Sequence, residues 1–82
     1  MTMLAVFRSR AQTLDFVSRL RAAGVPAQTV ATPADAGVGC GISARFEESF
    51  LPRVKILLGK RPYSSFSGFM KNRSGTFVYW NG

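Results

Sequence analysis

The chain reads as one α+β domain with an antiparallel sheet, on three observations. Short apolar or alternating runs and helix-spaced runs follow one another in the order β-α-β-β-α-β. Glycine, proline and mixed polar stretches separate these runs without any long linker or internal repeat. Hydrophobic residues make up 46% of 82 residues, enough for one small core and too short a chain for two.

The first run, "MLAVF" (3–7), is apolar at every position and predicts a buried central strand. The stretch 11–24 predicts a helix, with Leu14, Phe16, Val17 and Leu20 on one side, Gly24 as its C-terminal cap and Pro26 as its stop. "AQTVA" (27–31) reads as a second strand and "TPADAGVGCG" (32–41) as a loop. "ISARF" (42–46) alternates, with Ile42, Ala44 and Phe46 inward. In 47–60, Phe50, Leu51, Val54, Leu57 and Leu58 recur at helical spacing. Pro52 fits only a first turn, so the helix is expected to begin near Ser49. "SSFSGFMK" (64–71) predicts the fourth strand, and "GTFVYW" (75–80) an aromatic fifth strand or tail. This is the pattern of the ferredoxin-like split β-α-β, with both helices on one face and, by right-handed crossovers, strand order 4-1-3-2. The domain is expected to span 1–82, with its core in 3–70 and an extension in 71–82.

Eleven Lys and Arg, eight of them arginine, stand against four Asp and Glu, giving a net charge of +7. That balance points to an anionic partner or, since the basic residues are scattered, to a solvated surface. With one cysteine and no histidine, neither an internal disulfide nor a thiolate metal cluster can be built, so no metal or cofactor is expected. The apolar start is five residues long and runs into "RSR", too short for a secretory signal or a membrane span. A cytoplasmic protein is the expectation.

The single cysteine, Cys40, lies between Gly39 and Gly41 in "GVGCGIS". Such spacing makes a tight turn into a strand, or leaves room around the sulfur for another molecule. In a 4-1-3-2 sheet the start of strand three lies beside the end of strand one, the start of the first helix and the entry to strand four. Arg8, Arg10, Lys60 and Arg61 are thereby expected on the corner that carries the thiol. Cations and a helix N-terminus lower a cysteine pKa. The helix alone contributes about 0.3–1 kcal/mol, against about 1.36 kcal/mol per pKa unit. The arginines are needed as well to bring Cys40 from ~8.5 toward neutrality.

The stretch "VATPADAGVGCGISARF", after a strand and an amphipathic helix, resembles the small selenium/sulfur carrier-like proteins of bacteria. The matching positions are Thr32, Pro33, Cys40 and Gly41, with Ile42 opening the next strand. The resemblance covers residues 3–70, and the C-terminal "NRSGTFVYWNG" is longer than the family needs. It implies a carrier that holds a persulfide or selenosulfide on Cys40 between a donor and an acceptor protein. With no histidine and Asp35 the only acid of the loop, no general base is at hand, so a carrier is expected rather than a turnover enzyme.

Two other readings stand beside this one. In the first, the basic corner serves a partner- or anion-binding module and Cys40 is incidental. In the second, "RSGTFVYW" partly echoes the basic-glycine-aromatic motif of RNA-recognition domains. Ser74, Gly75 and Thr76 depart from that motif, and it falls on the last strand instead of the third, so nucleic-acid binding is expected to be weak or absent. Finally, two helices cover one face of a sheet whose first strand is apolar throughout. The aromatic surplus predicts a homodimer through the open face, or a tail folded back over it.

Overall fold

A computed structural model describes residues 1–37 and 41–80. The order is β1 (Thr2–Phe7), α1 (Arg10–Ala22), β2 (Gln28–Ala31), a 3₁₀ turn (Ala34–Ala36), β3 (Ile42–Glu47), a second 3₁₀ turn (Glu48–Phe50), α2 (Leu51–Lys60), β4 (Phe66–Arg73) and β5 (Thr76–Trp80). The fold is α+β, with two helices and a five-stranded sheet ordered β2-β3-β1-β4-β5, every neighbouring pair antiparallel. The sheet has five strands because the aromatic extension pairs with β4. Ser74 and Gly75, both at positive φ, form the two-residue turn of that hairpin. Among the described residues, no helix is long and apolar enough to cross a membrane.

Local chemistry sets the helix ends. Ser9 caps α1, its Oγ accepting from Gln12 N–H at 3.2 Å. At the other end Gly24 takes φ +82, with Gly24 N–H donating to Arg21 O and Val25 N–H to Leu20 O. That pair of bonds is a Schellman closure, and it needs the left-handed residue that Gly24 supplies. α1 buries Thr13, Phe16, Val17 and Leu20. Leu14, expected inside, is 46% exposed, because the buried stripe runs through Thr13, whose Oγ1 is satisfied by Ser9 O at 3.0 Å. α2 begins two residues later than expected, after the 3₁₀ turn, and Pro52 occupies its first turn, where a missing N–H costs nothing.

The helices cover one face of the sheet. Met3, Ala5 and Phe7 of β1, Ala44 and Phe46 of β3 and Phe69 of β4 pack there against Phe16, Leu20, Leu51 and Val54. Phe7 is the hub, with ring centroids 5.5 Å from Phe16 and 5.4 Å from both Tyr63 and Phe66. A register shift opposite Val6 and Phe7 lets Phe66 and Phe69 share this face despite their odd spacing.

The opposite face was expected to be bare, and the structure corrects this. Leu4 and Val6 are 1% and 0% exposed in the single chain. They form a second cluster with Met70 and Ala36, against which Val30 and Phe77 pack. The 3₁₀ turn of the β2–β3 loop thus lies on the sheet, and the tail has joined its edge instead of folding back over it. On the face to which the homodimer argument pointed, Leu4, Val6 and Met70 are buried within one chain, while Tyr79 stays exposed.

Candidate functional site at the loop end of the sheet

The end of β1, the start of α1 and the approach to β4 meet at one edge. Arg8 N–H donates to Ser65 O at 2.9 Å, and Ser9 N–H to Ser65 Oγ at 3.1 Å. Antiparallel pairing of Val6 with Ser43 brings the start of β3 to the same edge, as the strand-order argument required. The loop between β2 and β3 opens here.

Its described parts are firmly tied. At the neck, Thr32 N–H donates to Gly41 O at 2.9 Å, and the Thr32 and Ser43 hydroxyls share a hydrogen bond at 2.6 Å. Ser43 is fully buried, paired across to Val6 on one side and Val30 on the other. Pro33 O accepts from Ala36 N–H at 3.0 Å, which forms the 3₁₀ turn. Farther out, Ala36 O accepts from the Tyr79 hydroxyl at 2.8 Å. Cys40 and Gly39 lie outside the described residues. Gly41, next in sequence to Cys40, is exposed at φ +82, and a Cβ built on it would meet nothing within 4 Å. Its backbone requires glycine for the turn into β3, and the space beside it is open.

The four expected cations come from the end of β1, the start of α1 and the end of α2. Arg8, at the end of β1, and Arg10, in the first turn of α1, are exposed at the loop edge. Neither forms an ion pair among the described residues. Lys60 ends α2 and Arg61 follows it. Arg61 Nη2 contacts Asp15 Oδ2 at 2.5 Å and the Tyr63 hydroxyl at 3.4 Å, and Tyr63 donates to the same carboxylate oxygen. The Tyr63 hydrogen bond, and next the Asp15 charge, push the Arg61 pKa above its ordinary value. Lys60 lines a groove of about 200 Å³ between the helices with Ala23, Arg53 and Leu57. α2 packs on the helix-covered face of the sheet, whereas Ala36 of the 3₁₀ turn packs on the other.

Sequence reasoning missed Ser43 and Tyr79 as loop anchors. A serine at an outward-facing position of an alternating strand gives no sign of being buried, and Tyr79 entered only as part of the aromatic run of the last strand. It also missed a groove of about 360 Å³ at the far end of the sheet, lined by Arg21, Arg45 and Glu47. The aromatic residues of β5 do not form one stacking platform. Phe77 packs against the Leu4–Val6 cluster, whereas Trp80 packs on the helix side against Phe69, at 6.4 Å, under the Lys55 ammonium at 4.8 Å.

No curated protein and no solved structure matches the chain. A family model matches residues 2–64, from the first residue of β1 past the end of α2, with the whole of the β2–β3 loop inside the match and β4 and β5 beyond it. On that match, covering well over half of its residues, the chain belongs to the family described as "Putative Se/S carrier protein-like".

Proposed function

We propose that the protein carries a sulfur or selenium atom on Cys40, as a persulfide or selenosulfide, between a donor and an acceptor protein. The fold on which this rests is a ferredoxin-like split β-α-β with β5 added at one edge. The Cys40 thiolate attacks the outer sulfur of a donor persulfide. A bond forms from Cys40 Sγ to that sulfur, the donor S–S bond breaks, and its electron pair leaves on the donor's inner sulfur as a thiolate. The transferred atom keeps its oxidation state, so the step needs neither an oxidant nor a resolving cysteine. Delivery to the acceptor is the same exchange in reverse.

The observation that carries the reading is the family-matched loop itself, closed at its neck by Thr32 and followed by an exposed glycine with open space beside it. Arg8, Arg10 and the N-terminus of α1 supply positive potential at the same edge, the setting that favours a thiolate. Arg8 and Arg10 would serve an anion-binding module equally well, and one experiment separates the two. The protein is incubated with a cysteine desulfurase and cysteine, and its intact mass is read. The carrier gains one sulfur, and Cys40→Ala does not. No gain, or a gain that persists in Cys40→Ala, overturns the proposal.

A further inference from the structure

Tyr79 stands outside the family-matched stretch and yet touches the loop inside it. β5 is the edge strand beside β4, and Tyr79 pairs there with Met70, on the face opposite the helices. Its ring lies over the backbone of β4 at Gly68, where an added Cβ would be 3.5 Å from two ring carbons. That distance is ordinary contact, but Gly68 adopts φ +135, a conformation that other residues rarely take, so the backbone beneath the ring favours glycine. The phenol donates to Ala36 O at 2.8 Å. Ala36 is itself 7% exposed and packed on the cluster of Leu4, Val6 and Met70.

We propose that Tyr79 is a positioning residue for the thiol loop, the phenol anchoring the Ala34–Ala36 turn so that a protein donor meets that turn already in place. This inference rests on the carrier reading for its purpose, and on the Tyr79–Ala36 contact for its mechanism. A hydrogen bond of this kind contributes ~1 kcal/mol net, which is about fivefold in an equilibrium constant. A donor that must order a released turn on docking loses affinity by up to that factor, while a small reagent that needs no docking loses nothing.

Tyr79→Phe keeps the ring and removes the donor, and it is compared with wild type and with Trp80→Phe, which alters β5 on its other face. Amide exchange at Ala36, whose N–H is held by Pro33 O, is expected to accelerate about fivefold in Tyr79→Phe and to stay at the wild-type rate in Trp80→Phe. In sulfur uptake from a desulfurase persulfide, Tyr79→Phe is expected to raise the half-saturating donor concentration by a similar factor. The saturating rate and the rate of Cys40 alkylation by iodoacetamide are expected to be unchanged. Unchanged exchange at Ala36, or an unchanged half-saturating concentration, overturns the positioning role. A wild type that takes up no sulfur overturns the carrier reading and with it the purpose of the anchor. The exchange result still decides whether the anchor exists.

Discussion

The shared hydrogen bond between Thr32 and Ser43 makes an asymmetric prediction about stability. Thr32 is half-buried and Ser43 fully buried, between the β-carbons of Val6 and Val30 on its neighbouring strands. In Ser43→Ala the Thr32 hydroxyl is left where water can reach it, so the cost is that of one ordinary hydrogen bond, about 1 kcal/mol. In Thr32→Val, which conserves shape, the Ser43 hydroxyl stays at 0% exposure with no partner. A stranded buried group costs ~1–3 kcal/mol, so this variant is the less stable of the two. Adding Ser43→Ala to Thr32→Val removes the stranded group and recovers stability. The double variant is therefore expected to be more stable than Thr32→Val alone. Urea unfolding of all four proteins, with m-values compared to confirm a common unfolded state, measures the cycle. In a domain of this size each kcal/mol is worth about 4–8 °C in Tm, so thermal scans give an independent reading. A double variant whose loss equals the sum of the two single losses would refute the reasoning.

Two further outcomes follow from charge. Replacing Arg8 and Arg10 together with alanine is expected to slow Cys40 alkylation at neutral pH by about threefold, on the scale of exposed charge pairs. Arg61→Ala is expected to leave that rate unchanged, because its guanidinium is held by Asp15 and Tyr63. Equal effects from the two variants would show that the pairing of Arg61 with Asp15 does not withdraw its charge from the thiol. The second outcome concerns acid. Lys71 Nζ donates to Glu48 Oε2 at 2.9 Å, and this hydrogen bond holds the Glu48 carboxyl below the usual glutamate range. A depressed folded-state pKa contributes stability that is present above the unfolded value of about 4.3 and is lost as pH falls through the folded one. Thermal unfolding below pH ~4.3 is expected to show this loss in wild type and a shallower one in Lys71→Met. The same slope in both would remove the pair from the account.

Most of the fold was legible because its signals are local and mutually consistent. The five apolar residues of β1, the Gly24 and Pro26 stop and the alternation of β3 each point to one state, and the crossover rule orders the strands without any contact being known. Leu14 was misplaced because a threonine that bonds back to its own helix can be buried, and hydrophobicity alone gives no sign of it. At the site, topology predicts which edge a residue reaches but not which side of the sheet. Arg8 follows from the end of its strand, whereas the pairing of Arg61 with Asp15 and Tyr63 depends on how α2 packs on α1. The Ser43 and Tyr79 anchors depend on side chains meeting across the sheet, 11 and 43 residues from their partners. No window of sequence displays that.

The pairing of β1 carries a consequence for how the protein is made. β1, the central strand, leaves the ribosome well before one of its two neighbours, β4: Met3 pairs with Lys71 and Phe7 with Phe66. Until those residues emerge, the nascent chain can form its helices and the β1–β3 ladder, but one edge of β1 stays unpaired. Contacts of such long range make for slow, late closure of the sheet. Tyr79 follows β4 in the chain, so its contact with Ala36, 43 residues earlier, forms only once β5 has been made.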